Sequence, residues 1–171
     1  MTQRVKPMAD FLPDLPTLLT YALAAFLLAV TPGPDMALFL SRTVTGGQKY
    51  GMAAMLGASL GMMVHATLAG LGLSALLAAS ATGFMIVKMI GAVYLLFLAY
   101  QAVRHGSGLT INAATPPDQS VFATFVTGIG INLTNPKVVM FFVTFLPQFV
   151  EPTDPHASDK ILFLGIFFLA I

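Results

Sequence analysis

Stretches without charged residues recur along this chain at lengths that match helical membrane crossings. Between Asp14 and Asp35 lie 20 uncharged residues, and the apolar character continues to Arg42. At about 1.5 Å per residue that is enough for one crossing, so a first span is predicted over 17–41, interrupted by Thr31-Pro32-Gly33-Pro34. Thr43 to Lys49 reads as a loop. Tyr50 to Val87 contains 38 residues with no Asp, Glu, Lys or Arg, about right for most of two crossings. A turn at Ser80-Ala81-Thr82-Gly83 divides them into spans over 51–77 and 84–103. Residues 104–120, with Pro116-Pro117-Asp118, form a polar linker. A fourth span follows over 121–150, interrupted at Asn132-Leu-Thr-Asn135-Pro136-Lys137, then a loop from Glu151 to Lys160 and an apolar helix over 161–171.

The expected organisation is an N-terminal tail (1–16), a first three-helix unit (17–103), the linker, and a partial second unit (121–171). The last segment has 11 residues, too short to cross a hydrocarbon core of about 30 Å, so a C-terminal truncation is expected. Met8 is an alternative start. Arg4 and Lys6 precede the first apolar stretch as in a signal peptide, but without a small-x-small cleavage site, so a retained span is predicted.

Composition agrees with a lipid solvent. Charged residues make up 9% of the 171, against about 25% in ordinary soluble domains, and apolar residues 57%. The fold class is therefore an all-α integral membrane protein, a polytopic helical bundle. A net charge of +1 with no basic run excludes nucleic-acid binding. The absence of cysteine excludes thiolate metal sites, and His65, His105 and His156 lie on three separate segments, so no metal site and no cofactor are expected. Loop lysines and arginines tie between the two sides (Arg4, Lys6 and Lys160 against Arg42, Lys49 and Arg104), which leaves orientation open.

The candidate chemistry lies at the interruptions. Proline inside a helix removes a backbone donor and clashes with the carbonyl one turn earlier, which lipid tolerates only where protein or water re-satisfies the freed groups. The breaks at Pro32-Gly33-Pro34 and Asn135-Pro136 open the first long span of each half, the pattern of an internally repeated transporter. Aligning Pro34 with Pro136 superimposes Asp35 on Lys137. An inverted repeat of three plus three helices, with helices 1 and 4 broken, follows if two further spans complete the second half. Each charge sits where a half-helix exposes N–H groups and a positive dipole end; this suits Asp35, whereas Lys137 needs a local anion, either Asp35 or a solute carboxylate. Intramembrane charges cost about 2.5–3.5 kcal/mol each on insertion scales and are functional candidates by default.

Three other features carry alternatives. Gly57 and Gly61 form a GxxxG pair beside Ala54 and Ala58, which favours close helix packing and leaves a homo-oligomer open. His65, mid-span, is either a proton or solute contact or a histidine bonded to a neighbouring helix. Gly57-Ala58-Ser59-Leu60-Gly61 matches the G-x-S-x-G of serine hydrolases and suggests a rhomboid-like intramembrane protease. Six helical residues turn the chain by about 240°, however, so His65 cannot reach Ser59 within one helix. A non-transporting assembly subunit built on the small-residue faces is a further alternative.

The motif residues are ordered along the chain: Thr31-Pro32-Gly33-Pro34; Gly46-Gly47 and Gly51; Gly57 and Gly61; Ala69-Gly70-Leu71-Gly72; Lys88-x-x-Gly91-Ala92-x-Tyr94-Leu95; and Gly128-x-x-x-Asn132-Leu-x-Asn135-Pro136-Lys137, running on to Phe142 and Pro147-Gln148-Phe149. Together they resemble the LysE/RhtB family of amino-acid exporters from about residue 17 to the end. The resemblance implies a multi-pass protein of the bacterial inner membrane that exports amino acids such as threonine, homoserine or lysine, driven by an ion gradient. No GxxxxGK[ST] phosphate loop is present. The residues expected to meet solute or ion are Pro32, Gly33, Pro34, Asp35, His65, Asn132, Asn135, Pro136 and Lys137.

Overall fold

The computed structural model describes residues 12–105, 120–151 and 154–171; the N-terminal tail to residue 11 and most of the linker lie outside the described residues. Within them the chain is all-helical: α1 (Leu15–Val30), α2 (Pro34–Gly46), α3 (Gln48–Ala79), α4 (Ala81–His105), α5 (Val121–Thr134), α6 (Pro136–Met140) and α7 (Ala157–Phe168). A π-helical turn (Phe141–Phe145) and a 3-10 turn (Leu146–Phe149) continue α6.

Among the described residues only α3, over Gln48–Gly72, is by itself long and apolar enough to cross a membrane. The pairs α1 plus α2, bent by 54°, and α5 plus Pro136–Phe149, bent by 50°, each qualify as one broken span. Helix α4, Ala81–His105, contains the span predicted over 84–103.

Two predicted loops are mostly helix and a third is shortened. The segment Thr43–Lys49 shrinks to Gly47, whose φ of 88° suits glycine. Thr43 and Thr45 stay helical because their hydroxyls bond the Phe39 and Ser41 carbonyls one turn back. The turn predicted over 80–83 is the single residue Ser80, whose Oγ accepts from Gly83 N–H and caps α4. The final helix begins at Ala157 rather than 161. From its first turn Lys160 Nζ donates back to Asp154 Oδ2 at 2.5 Å and holds that carboxyl below the usual carboxylate range.

Helix α3 is the post against which α2, α4, α5 and α7 pack, and its side chains are distributed by size. Gly51, Ala54, Gly57, Ala58, Gly61, Ala66 and Ala69 are buried, whereas Met52, Met55, Leu56, Leu60, Met63 and Leu68 face outward. Large apolar groups gain nothing by leaving lipid, so packing relies instead on close backbone approach at small residues. A Cβ on Gly57 would stand 2.0 Å from the Phe125 carbonyl oxygen of α5, and one on Gly128 would stand 2.3 Å from that of Ala54. A second contact region joins α1, the π-helical turn and α7, where Tyr21, Phe141, Phe142, Ile161, Leu164 and Phe168 are buried together. Tyr21 Oη donates to the Leu164 carbonyl at 2.8 Å.

The π-helical turn follows from Pro147, whose ring crowds the carbonyl one turn earlier and widens the coil. Side chains satisfy carbonyls around it: Thr144 Oγ1 donates to Met140, and Gln148 Nε2 to Thr144. Gly91 of α4 makes room for Thr144, since a Cβ there would overlap it at 1.7 Å.

Candidate functional site

The two breaks meet inside the bundle, and a charged side chain of each bonds groups of the other. At the first break Pro32 carries no N–H for the carbonyl four residues back, that of Leu28. Lys137 Nζ supplies the missing donor, at 3.1 Å from Leu28 O and 2.7 Å from Thr31 O. At the second break Pro136 leaves the Asn132 carbonyl without its helical donor. That carbonyl accepts from Asn135 N–H at 3.1 Å and faces His65 Nε2 of α3 at 3.4 Å. His65 also stacks on Phe142, with ring centroids 5.7 Å apart. As a donor to this carbonyl the imidazole carries its proton on Nε2.

Asp35 lies in the first turn of α2 with 8% of its surface exposed. Its Oδ2 accepts from Asn132 Nδ2 at 3.0 Å and from Asn135 Nδ2 at 2.9 Å. Asn135, the one non-helical residue between α5 and α6, also caps α6 by accepting Lys137 N–H on its Oδ1. The acid of the first break thus rests on the carbonyl-terminal end of α5, and the lysine of the second on that of α1.

Lys137, for which either Asp35 or a solute carboxylate is the expected anion, bonds carbonyl oxygens in this conformation. It forms no direct ion pair with Asp35 among the described residues; the partial negative charge at the end of α1 takes the ammonium instead. Gly33 lies beside the lysine stem, and a Cβ there would stand 3.3 Å from Cε and Nζ. Pro34 starts α2 and leaves the Asp35 and Met36 N–H groups outside the helical ladder, whose first bond is Ala37 N–H to Gly33 O. Gly61 seats Asn132: a Cβ there would be 2.7 Å from its Oδ1. The structure therefore brings Pro32, Gly33, Pro34, Asp35, His65, Asn132, Asn135, Pro136 and Lys137 into one neighbourhood, with Gly61 at its edge and Gly57 one turn along α3.

Sequence reasoning missed the Leu28 and Thr31 carbonyls, although counting four residues back from Pro32 points to the first. A separate open cavity of about 480 Å³, whose lining includes Thr17, Thr20, Lys88, Gln148 and Glu151, lies away from the breaks. No group of acidic or histidine side chains suited to a metal ion occurs among the described residues.

A family model described as "LysE type translocator" matches residues 26–171, taking in both breaks. The chain belongs to the LysE type translocator family. It is 36% identical over 153 residues to an "uncharacterized membrane protein" of Vibrio cholerae, covering 90% of this chain and 74% of the relative. It is 31% identical over 146 residues to proteins named "homoserine/homoserine lactone efflux protein" in Salmonella typhimurium and Salmonella typhi, covering 85% of this chain and 70% of each. No solved structure matches it significantly.

This LysE-type protein is accordingly a membrane transporter and not an enzyme. The geometry at Ser59 agrees: its hydroxyl donates to the Met55 carbonyl within α3. A Ser59→Ala variant is expected to transport at the wild-type rate in an efflux assay; loss of transport would restore a functional role for that hydroxyl.

Proposed function

We propose that this LysE-type translocator exports small amino acids or close derivatives of the homoserine kind across the bacterial inner membrane, by alternating access coupled to the proton gradient. The observation that carries the reading is the reciprocal contact of the two breaks, Asp35 on the end of α5 and Lys137 on the end of α1. Polar and charged side chains held together between helices in a lipid-solvated chain are costly, and solute pathways are where such cost is met. The names of the Salmonella relatives suggest the solute class.

In this mechanism the broken helices belong to two inverted three-helix units that rock against each other about the crossing. The solute carboxylate meets the unpaired N–H groups at the start of α2 and the remaining N–H of Lys137. Movement between the units exchanges the lysine's bonds to Leu28 and Thr31 for bonds to solute, so the ammonium is never left without acceptors. The freed proline carbonyls make the crossing polar without making it permanently open.

Cells expressing the protein and loaded with homoserine from a dipeptide source are expected to release it faster than control cells, with the excess lost when the proton gradient is collapsed. Equal release by both cell types, for homoserine, threonine and lysine alike and with the protein correctly inserted, would favour an assembly subunit. Release that continued unchanged without the gradient would reject proton coupling alone.

A further inference from the structure

Two oxygens at the crossing of the breaks have no hydrogen-bond partner although both are buried: Asp35 Oδ1 and Asn132 Oδ1. They belong to side chains already joined to each other, since Asn132 Nδ2 donates to Asp35 Oδ2. Asn132 is fully buried and Asp35 nearly so. Leaving one buried acceptor unpaired costs about 1–3 kcal/mol, more for a charged group, so the unpaired acceptor of the acid calls for a hydrogen-bond donor.

The donor's size is limited. Neither oxygen is open to a water-sized probe, so a solute ammonium has no room beside them in this conformation, and a dehydrated metal cation would require more oxygen ligands than these two. A proton needs no added volume. Bound to Asp35 Oδ1, it turns one partnerless acceptor into a donor, while Oδ2 keeps both amide bonds.

We infer that Asp35 is the carboxyl that carries the coupling proton, with Asn132 and Asn135 as the pair that holds it in the bundle. The assignment rests on the exporter reading above and names the group that couples it. In the proposed cycle, loss of the proton leaves a buried carboxylate whose Oδ1 has no donor, which favours separation of the units. The other titratable groups facing the site are accounted for. His65 of α3 is directed at the Asn132 carbonyl, Lys137 of α6 is bonded to Leu28 and Thr31 while close enough to act electrostatically on Asp35, and Tyr21 of α1 donates to Leu164. Arg42, two turns along α2 itself, has interactions of its own.

Asp35→Asn is the informative substitution, because an asparagine keeps the shape and the donor of a protonated acid but cannot release it. In proteoliposomes uptake of labelled homoserine driven by an imposed pH gradient is expected to fall at least about tenfold in the variant, and much further than its exchange of labelled for unlabelled homoserine. Loss of both modes would overturn the inference and make Asp35 a solute contact; retention of both would place the proton elsewhere. A spectroscopic readout needs no solute and therefore separates failure of this inference from failure of the exporter reading. Infrared difference spectra of the purified protein across a pH titration are expected to contain a protonated-carboxyl C=O band that Asp35→Asn removes. A band identical in the two proteins would also overturn the assignment.

Discussion

Replacing Lys137 with methionine is expected to abolish homoserine efflux while leaving the chain inserted in the membrane. Methionine conserves the length and apolar stem of the lysine, so packing beside Gly33 is retained, but the donor to the Leu28 and Thr31 carbonyls is lost. Pro32 has already removed the backbone donor to Leu28, leaving only the Thr31 N–H, at 3.2 Å and shared with the Leu27 carbonyl. An unsatisfied buried acceptor costs about 1–3 kcal/mol. That figure stays below the total stability of an ordinary domain, about 5–15 kcal/mol, so folding survives. Transport does not, because in the proposed cycle the ammonium both closes the end of α1 and exchanges that contact for the solute carboxylate. A drop in efflux of at least about a hundredfold corresponds to about 2.7 kcal/mol, in the range for one desolvated charged hydrogen bond. Lys137→Arg keeps the charge but spreads it over a wider planar group that the Gly33 contact cannot accommodate without adjustment, so partial activity is expected. The check is efflux normalised to membrane-inserted protein. Wild-type efflux from Lys137→Met would remove the lysine from the mechanism and leave it a cap for α1.

The breaks and the residues at them were legible because proline acts locally: a missing N–H at a known position frees a carbonyl at a known position. What the sequence could not show is where the replacement donors come from. Lys137 reaches a carbonyl 109 positions away in the chain, and only the crossing of α1 with α6 makes that contact. The expectation of an anion for Lys137, either Asp35 or a solute carboxylate, followed from charge alone and overlooked the helix end as a competing acceptor. Loop lengths were overestimated for a related reason. Thr43 and Thr45 look like loop residues to a propensity argument, yet in an apolar surrounding their hydroxyls satisfy carbonyls of their own helix. The π-helical turn at Phe141–Phe145 had a visible cause in Pro147, but a proline near the end of a predicted span reads equally well as a simple stop. His65 had two readings; its place at the Asn132 carbonyl depends on the α3 to α5 packing.

That packing sets the expectation for the largest structural effect. Gly57→Leu should prevent α3 and α5 from closing and leave the protein poorly folded in detergent. The Cβ alone would come within 2.0 Å of the Phe125 carbonyl oxygen and 3.0 Å of the Ile129 nitrogen, both backbone atoms on a helix that cannot yield locally. Gly128 faces the Ala54 carbonyl from the other side at 2.3 Å, so the crossing is pinned by a glycine on each helix and Gly128→Leu should behave alike. Overpacking commonly costs about 1–3 kcal/mol where side chains can shift, and the cost here lies at or above that range because backbone must move. The consequence reaches the site, since Asn132 lies one turn beyond Gly128 and loses its seat at Gly61 when the helices part. Gly130→Leu is the control on the same helix, exposed and with nothing within 4 Å of a new Cβ. It is expected to match wild type in thermal unfolding and in gel-filtration profile, whereas Gly57→Leu unfolds at a markedly lower temperature or aggregates. Equal stability of Gly57→Leu and Gly130→Leu would mean that α3 and α5 do not meet at this glycine, and that the approach which brings Asn132 to Asp35 is made elsewhere along the two helices.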